Sequence, residues 1–301
     1  MTSVVCFDIG GTAIKYGLIQ DGTIIDQGKF ATDLTNGSLM LSRMGDIIQD
    51  YKKAHELDGI SISSPGFVDN RSGKIVSGNI IDGFNGLNIR DYFQKHYQLD
   101  TAIENDANSA TIAEHALGNG KGYENMVCMT LGTGVGGGII INNKLYTGNA
   151  KMAGEFGFMF INGIQTDRPE DEILSGYAST RALVESVNKE LEEEIDGIEI
   201  FDRANRGDAL CKQKISDFFD AIAMGIYNIA YTINPDIVLI GGAVSMQPQL
   251  IDEVKKRIEY LTPSFSLNLL DIMKIDRCKF LNDAGLYGAY ANFIESRKVE
   301  A

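Results

Sequence analysis

Two glycine-rich turns carry the residues with the clearest chemical potential in this 301-residue sequence. The first is DIGGT, residues 8–12, and the second is GTGVGGG, residues 132–138; each lies between two runs of strand-forming residues. Consecutive backbone N–H groups in such a turn can form a concave anion site, and the missing side chains let a phosphate approach. Each turn also contributes a threonine hydroxyl suited to a phosphate oxygen. The pattern predicts phosphate contacts from Gly10, Gly11, Thr12, Gly132, Thr133, Gly134 and Gly136.

These turns could also be ordinary hairpins or part of a dinucleotide-binding motif. Glycine is common in ordinary β-hairpin turns, so either motif alone could be only a hairpin. The dinucleotide-binding fingerprint requires a helix directly after its glycines, whereas the strand-like sequence IIIN follows residue 138. Two similar hairpins at corresponding places in two similar halves favour the phosphate site.

Asp8 adds a metal to this prediction. A carboxylate beside a phosphate loop would repel the ligand unless a cation came between them. Magnesium, bound through oxygen atoms and retained water, removes this conflict. The sequence therefore predicts a magnesium nucleotide in a cleft between two lobes, with Asp8 as the residue that faces the metal through water.

Composition excludes several classes of partner. The formal charge of −14 disfavours nonspecific binding to nucleic acid or to an anionic membrane. No apolar run approaches the roughly 20 residues that span a bilayer, and no secretory signal is recognisable at the N-terminus. The four cysteines are scattered without a CxxC pair, so we expect neither disulfides nor a cysteine zinc site and assign the protein to the reducing cytoplasm.

Strands and helices alternate in both halves, which predicts an α/β fold in two lobes. Helices are expected at about residues 38–55, from Asp106 onward, and in a long apolar segment that stops before Asn234. The final helix is expected to return to the N-terminal lobe. This gives an N-terminal lobe of residues 1–117 plus 284–301 and a C-terminal lobe of residues 118–283.

At this level of detail the sequence resembles the ROK family of sugar kinases and regulators. The segments that carry the resemblance run in order along nearly the whole chain: FDIGGT, SSPGFVD, ENDANSA, LGTGVGGGI, AGEFGF, NPDIVLIGGAV and NDAGLYGAY. The resemblance implies two RNase H-like lobes of the actin-like, hexokinase-type ATPase fold around a nucleotide and sugar cleft. It also implies phosphoryl transfer from MgATP to a sugar hydroxyl, and a homodimer.

The resemblance assigns roles to individual residues. Asp106 matches the catalytic base and Asn105 a ligand of the sugar hydroxyls, although aspartate at a helix start is also a common N-cap. Further sugar ligands would be Gly66, Asn79 and Glu155, which could otherwise be a turn glycine, a loop amide and a solvated acid. The resemblance also implies that Gly241 and Gly242 lie near the adenosine, although they could simply end a strand.

Three departures from the family pattern concern the reducing-end side of the sugar. Phe158 stands where the family has a zinc-linked histidine, and Ser175 stands where it has a glutamate that contacts the sugar. Residues 159–174 contain neither cysteine nor histidine, so the zinc site of the family is absent. Without the polar side chains of that histidine and glutamate, binding of a sugar with a free anomeric hydroxyl is disfavoured, because a buried hydroxyl without a hydrogen-bond partner costs free energy. Phe158 and Ser175 could instead accommodate a second sugar or an aglycone.

The subgroup that this sequence resembles most is the bacterial β-glucoside kinases, which phosphorylate O6 of the non-reducing glucose. The similar segments are AGEFGFM, TDRP, IFDRANRGD and FFDAIAMGIYN. We therefore predict a β-glucoside kinase that uses ATP and Mg²⁺ and no zinc. The alternatives are a zinc-independent N-acetylmannosamine kinase or glucokinase, a sugar-sensing regulator, and an inactive sugar-binding module. A regulator would need a DNA-binding domain before the first strand, which we expect to begin by about Ser3.

Overall fold

The computed structural model describes residues 2–163 and 168–300 and shows a mixed α/β protein. Its strands are β1 Ser3–Ile9, β2 Ala13–Gln20, β3 Thr23–Ala31, β4 Gly59–Ser64, β5 Phe67–Asp69, β6 Lys74–Ser77, β7 Asp100–Asn105, β8 Met126–Leu131, β9 Val135–Ile141, β10 Lys144–Leu145, β11 Ile237–Gly241 and β12 Lys274–Arg277. Its α-helices are α1 Gly37–Ala54, α2 Ile89–Tyr97, α3 Asp106–Leu117, α4 Ser175–Ala178, α5 Thr180–Leu191, α6 Gly197–Asn205, α7 Ala209–Ile233, α8 Leu250–Leu261, α9 Leu269–Ile272 and α10 Ala284–Glu300.

The first compact unit comprises Met1–Lys121, Thr147–Ala153 and Asn282–Ala301. Its sheet has the order β3-β2-β1-β4-β7, with β1, β4 and β7 parallel and β2 antiparallel to both of its neighbours. Alternate residues of a strand point to opposite sides of the sheet, and in β1 the residues on both sides are buried. One face joins the core under α1 and α2, and the other packs against α10.

The second compact unit comprises Gly122–Tyr146 and Gly154–Leu281. Its sheet has the order β10-β9-β8-β11-β12, in which β8, β11 and β12 are parallel and β9 is antiparallel to β8. The long helix α7 packs against α5, α6 and α8. Two five-stranded mixed sheets with helices confirm the predicted α/β fold class.

Both units turn the chain at corresponding points. In each sheet a parallel strand runs into a tight turn and returns antiparallel, so the glycines of residues 10–12 and 132–134 lie at hairpin turns, as predicted. The carboxyl ends of neighbouring parallel strands share an edge of a sheet with these turns, and such edges are the usual ligand sites of α/β proteins. At these edges lie Ser64, Asn105 and Gly241.

The predicted helix limits agree closely with the structure in three places. Helix α1 covers almost the whole expected range, α3 begins at Asp106, and α7 ends at Ile233 because Asn234 adopts the left-handed conformation. The acidic helix α5 ends at Leu191, and the next residue, Glu192, takes a φ of 54°. Within the described part of the chain, none of the helices combines the length and apolar character required to cross a bilayer.

Candidate active site

The first hairpin turn positions Asp8 at the end of β1. Gly10 donates its backbone N–H to the carbonyl of Ala13 over 3.1 Å, and Thr32 donates its hydroxyl to the carbonyl of Gly10 over 2.7 Å. A Cβ atom at Gly10 would lie only 2.9 Å from the Ala13 oxygen, so the turn requires glycine there. Gly11 and Thr12 are exposed at its tip.

Asp8 is a largely buried carboxylate with a raised pKa. Burial is the main cause, and nearby Asp283 raises the pKa further. Opposing this, Ser63 donates its hydroxyl to Asp8 Oδ1 over 2.9 Å, and Lys15 Nζ lies 3.9 Å from Oδ2. A Cβ atom at Gly285, near the start of α10, would collide with the carboxylate. The surroundings hold Asp8 in one place.

Asn79, which follows β6, packs against the turn at Gly66 that follows β4. The side-chain amide of Asn79 donates to Ser64 Oγ and to the Pro65 carbonyl, each over 2.9 Å, and its oxygen accepts from the Ile81 N–H. Gly66 has a φ of 94°, and a Cβ atom there would lie 2.7 Å from the Asn79 nitrogen. Both residues thus shape the backbone beside Asn105, whose Nδ2 donates to the Gly66 carbonyl over 3.0 Å.

Asn105, and not Asp106, caps helix α3. The Asn105 side-chain oxygen accepts from the backbone N–H groups of Ala107 at 2.9 Å and Asn108 at 3.1 Å. Asp106 is the first residue of the helix, is exposed, and accepts the Ala107 N–H at 2.8 Å. The capping role that could have explained Asp106 is therefore filled by its neighbour. The structure brings together Gly66, Asn79, Asn105 and Asp106.

Glu104 is a site residue that sequence reasoning missed. Its buried carboxylate accepts the Asn105 N–H at 2.9 Å, Asn108 Nδ2 at 3.0 Å and Asn70 Nδ2 at 2.6 Å. Burial raises its pKa, while these donors and Lys151 oppose the rise. Glu104 therefore anchors the backbone that presents Asp106. A glutamate between the apolar pair Ala102–Ile103 and Asn105 was the available signal.

The second hairpin turn is braced from outside its own strands. Thr180 donates both its backbone N–H, at 2.9 Å, and its hydroxyl, at 2.6 Å, to the Gly132 carbonyl. Ser175 accepts the backbone N–H of Val135 over 3.0 Å. Thr133, between these two contacts, is exposed. The turn is held at both ends while its tip stays open.

The glycines of this hairpin serve two different purposes. Beside Gly132 there is open space, and a Cβ atom there would meet nothing within 4 Å. At Gly137 a Cβ atom would lie 2.5 Å from the Phe156 ring and 2.6 Å from the Cys128 carbonyl. Gly132 is thus free to face a ligand, whereas Gly137 is required for packing. Gly136, predicted to contact phosphate, lies within strand β9 and is half-buried.

Gly241 and Gly242 lie against the base of the second hairpin. Strand β11 pairs with β8, and Gly241 is the partner of Thr130. Gly242 has a φ of 92°, and a Cβ atom there would collide with the Leu131 carbonyl. This close approach requires glycine.

A cavity of about 560 Å³ opens beside the same hairpin, with Thr133 and Val244 in its wall. Helices α5 and α6 contribute four further apolar side chains to the wall: Leu183, Val184, Ile198 and Phe201. These residues of α5 and α6 were not among the site residues predicted from the sequence. Ile198, which is 71% exposed and follows a run of acidic residues, was the signal that could have indicated it. The cavity has the size and apolar lining typical of a small-molecule site.

Glu155, Phe158 and Ser175 lie in one region of the second unit. Glu155 is half-buried, and this burial raises its pKa. It directly precedes a short 3-10 turn, Phe156–Phe158. The Phe158 ring is 62% exposed. A Cβ atom at Gly157 would collide with Ser175 Oγ, so the turn packs directly on the start of α4. Of the TDRP segment, Thr166 and Asp167 lie outside the described residues.

No group of three or more histidine, cysteine, aspartate or glutamate side chains is arranged as a metal cage in residues 2–163 and 168–300. A magnesium nucleotide does not need such a cage, because Mg²⁺ is usually held by one or two carboxylates together with phosphate oxygens. Asp8, with a second carboxylate close enough to raise its pKa, fits this donor set.

Comparison with known proteins agrees with this geometry. Residues 4–296 match the profile described as ROK family. A β-glucoside kinase of Listeria monocytogenes is 34% identical over 297 residues, which cover 97% of each chain. A solved structure from Listeria monocytogenes, described as a proposed N-acetylmannosamine kinase, has a TM-score of 0.89 at 32% identity and covers 98% of this chain and 100% of its own.

A third relative contains both ligands of a sugar kinase. It is a ROK family glucokinase from Streptomyces griseus in complex with glucose and AMPPNP, with a TM-score of 0.80 at 25% identity. The alignment covers 97% of this chain and 98% of that one. A family match over nearly the whole length, with sugar kinases as the full-length relatives, shows that this chain is a sugar kinase of the ROK family.

Proposed function

We propose that this sugar kinase transfers the γ-phosphoryl group of ATP to O6 of the non-reducing glucose of a β-glucoside such as cellobiose. Asp106, Asn105 and Glu155 would face the accepting glucose, and the turn at residues 132–134 would bind the nucleotide phosphates. A cytoplasmic location and a homodimer remain predictions from the cysteine content and from the family resemblance.

The observation that carries the acceptor assignment is the exposed Phe158 ring beside the half-buried Glu155. An aromatic face offers apolar contact to a second sugar ring or an aglycone, whereas it offers no hydrogen bond to a free anomeric hydroxyl. The full-length relative named β-glucoside kinase supports the same acceptor class.

Asp106 would act as the base in an in-line transfer. Its carboxylate would accept the proton of O6 while that oxygen bonds to the γ-phosphorus and the bond to the ADP oxygen breaks with its electron pair. In a loose transition state the proton leaves late, so an ordinary carboxylate suffices and alignment supplies most of the rate. The cap by Asn105 and the anchor by Glu104 would provide that alignment.

For the nucleotide, we assign the phosphates to the turn at residues 132–134 and the adenosine to the adjoining 560 Å³ cavity. Gly132 has room for a phosphate, and the apolar walls Leu183 and Phe201 suit a purine. Asp8 would hold Mg²⁺ through water, and the bound ion would neutralise charge on the phosphates. The glucokinase complex with AMPPNP supports ATP as the donor.

A panel of acceptors tests the proposal. With ATP and Mg²⁺, kcat/KM for cellobiose and gentiobiose is expected to exceed that for glucose by at least about tenfold, because the second sugar removes the unpaired anomeric hydroxyl. ADP release measures the rates, and NMR of the product identifies the phosphorylated oxygen. Glucose far exceeding both disaccharides would reject the assignment.

The same panel separates the alternatives. Preference for N-acetylmannosamine would favour the activity proposed for the Listeria relative with a TM-score of 0.89. Sugar binding by calorimetry without ADP release would favour a sensor or an inactive binding module.

Replacing Ser175 with alanine is expected to raise the KM for ATP several-fold, and by more than it changes the KM for the sugar. The substitution removes the acceptor of the Val135 N–H, and a buried donor without a partner costs about 1–3 kcal/mol. Val135 directly follows the open turn, so the cost falls on the loop assigned to phosphate. Initial rates over a matrix of ATP and sugar concentrations give both constants.

Ser186→Ala is the matched control. Its hydroxyl donates to the Leu183 carbonyl of its own helix, so the alanine variant leaves no backbone N–H without an acceptor. An unchanged KM for ATP in Ser175→Ala would show that the hydroxyl does not position the loop.

A further inference from the structure

The loop that follows Phe158 is closed at its base by backbone hydrogen bonds. Leu174 donates its N–H to the Met159 carbonyl over 2.7 Å, and Ile161 donates to the Glu172 carbonyl over 3.1 Å. Phe160 and Ile173 form a β-bridge between these bonds. We call this paired segment, residues 159–162 and 172–174, the loop neck. It joins the Phe156–Phe158 turn directly to α4.

Three side chains close the same neck from its polar side. Asn162 Nδ2 donates to Glu172 Oε2 over 2.8 Å and to the Tyr177 hydroxyl over 2.9 Å. The Tyr177 hydroxyl in turn donates to Glu172 Oε2 over 2.6 Å. We call these three side chains the polar cluster. Each member contacts the other two, so the cluster connects both sides of the neck with the first turn of α4.

The cluster is built around an ionised carboxylate. Hydrogen bonds from Tyr177 and Asn162 lower the pKa of Glu172, and burial together with the bond to Glu172 raises the pKa of Tyr177. Glu172 is therefore an anion and Tyr177 a neutral donor at neutral pH. Hydrogen bonds to an ionised partner are shorter and stronger than those between neutral groups.

The position of this cluster connects it to the acceptor. Phe158 immediately precedes the neck, and Ser175 immediately follows it. Both Phe158 and Phe160 are largely exposed, at 62% and 48%, so little packing of their own fixes the rings. The neck is consequently the element that determines where these rings stand. The loop neck contains neither cysteine nor histidine, so no metal bound by such residues fixes its position.

We propose that Asn162, Glu172 and Tyr177 are positioning residues that fix the loop neck and thereby hold Phe158 against the second sugar of the acceptor. This proposal rests on the function proposed above for Phe158. It assigns acceptor specificity to side chains that contact neither ATP nor the reacting oxygen.

Tyr177→Phe tests the proposal. The variant removes one donor from Glu172 and one acceptor from Asn162 but keeps the ring. The KM for cellobiose is expected to rise about five- to tenfold, while kcat at saturating sugar, the KM for ATP and the KM for glucose change little. Tyr260→Phe is the matched control, because it removes a hydroxyl from a ring that is 90% exposed.

Glu172→Gln and Glu172→Ala extend the test. The glutamine side chain keeps an oxygen that can accept from both Tyr177 and Asn162, so it should retain most of the disaccharide preference, whereas alanine should lose it. A merely structural cluster would lower the melting temperature of Tyr177→Phe and Glu172→Ala and leave the ratio of kcat/KM for cellobiose to that for glucose unchanged. That result would overturn the proposal.

Failure of the proposed function gives a different pattern. If wild-type enzyme prefers a monosaccharide, the β-glucoside assignment is wrong, and the same variants are then measured with the preferred sugar. A change confined to the KM for that sugar would show that the cluster positions the acceptor site but that Phe158 does not act through a second sugar, and parameters equal to wild type would contradict positioning by the cluster.

Discussion

Asp106→Asn is expected to lower kcat by about 10²- to 10⁴-fold, with little change in the KM for ATP or for the sugar. Asparagine has the shape of aspartate but cannot take the proton of the acceptor hydroxyl. The start of helix α3 should persist, because Asn105 supplies the cap through its bonds to Ala107 and Asn108. Turnover is measured by ADP release with cellobiose and glucose, and folding by thermal unfolding.

Asp91→Asn is the control for this variant. Asp91 also lies in the first turn of a capped helix of the same unit, α2, and is exposed. Its substitution should leave kcat unchanged. Equal turnover of Asp106→Asn and wild type would remove Asp106 as the base and leave alignment alone to explain the rate.

Much of the fold follows from local sequence signals. The run SVVCFDI is apolar on both faces, as a central parallel strand must be, and the glycine turn after it ends the strand at a defined residue. Helix α3 starts at Asp106, as predicted, but its cap is Asn105 and not Asp106. Helices α2, α6 and α8 were not predicted, although each carries an apolar stripe that is buried in the structure. Of these three helices, α6 contributes to the 560 Å³ cavity, because Ile198 and Phe201 lie in its wall.

The candidate site was predictable where one motif determines one turn, and less so where distant segments meet. DIGGT and ENDA identify Asp8 and Asp106 without any knowledge of the fold. No periodicity reveals that Thr180 braces Gly132 or that Ser175 accepts the Val135 N–H, because these contacts span 48 and 40 residues. The Ser175 side chain was expected to make room for an aglycone; the structure adds that its hydroxyl supports the second hairpin.

The five glycines between residues 132 and 138 have different structural causes, which the sequence alone does not separate. Sequence alone attributes Gly132, Gly134 and Gly136 to the approach of a phosphate, with an ordinary hairpin turn as the alternative. The structure separates Gly132, which borders open space, from Gly137, which lies under the Phe156 ring. Glycine therefore borders open space at one end of the turn and permits close packing against Phe156 at the other.

Alanine substitutions at these two glycines are expected to have opposite consequences. Gly137→Ala forces a methyl group to within 2.5 Å of Phe156 and 2.6 Å of the Cys128 carbonyl, so it should cost about 3 kcal/mol and lower the melting temperature by on the order of 10 °C. Gly132→Ala should leave the melting temperature unchanged. The added methyl group would instead occupy space assigned to phosphate, and the KM for ATP should rise at least about tenfold.

Each variant serves as the control for the other, since both add one methyl group to the same hairpin. Thermal unfolding without nucleotide reports the packing cost, and a titration with AMPPNP reports binding to the folded protein. Normal AMPPNP affinity in Gly132→Ala would mean that the open turn does not contact phosphate, and the nucleotide assignment would then be wrong. A wild-type melting temperature for Gly137→Ala would contradict the packing argument alone, because the contacts at Gly137 involve Phe156 and Cys128 and no part of the ligand space beside Gly132.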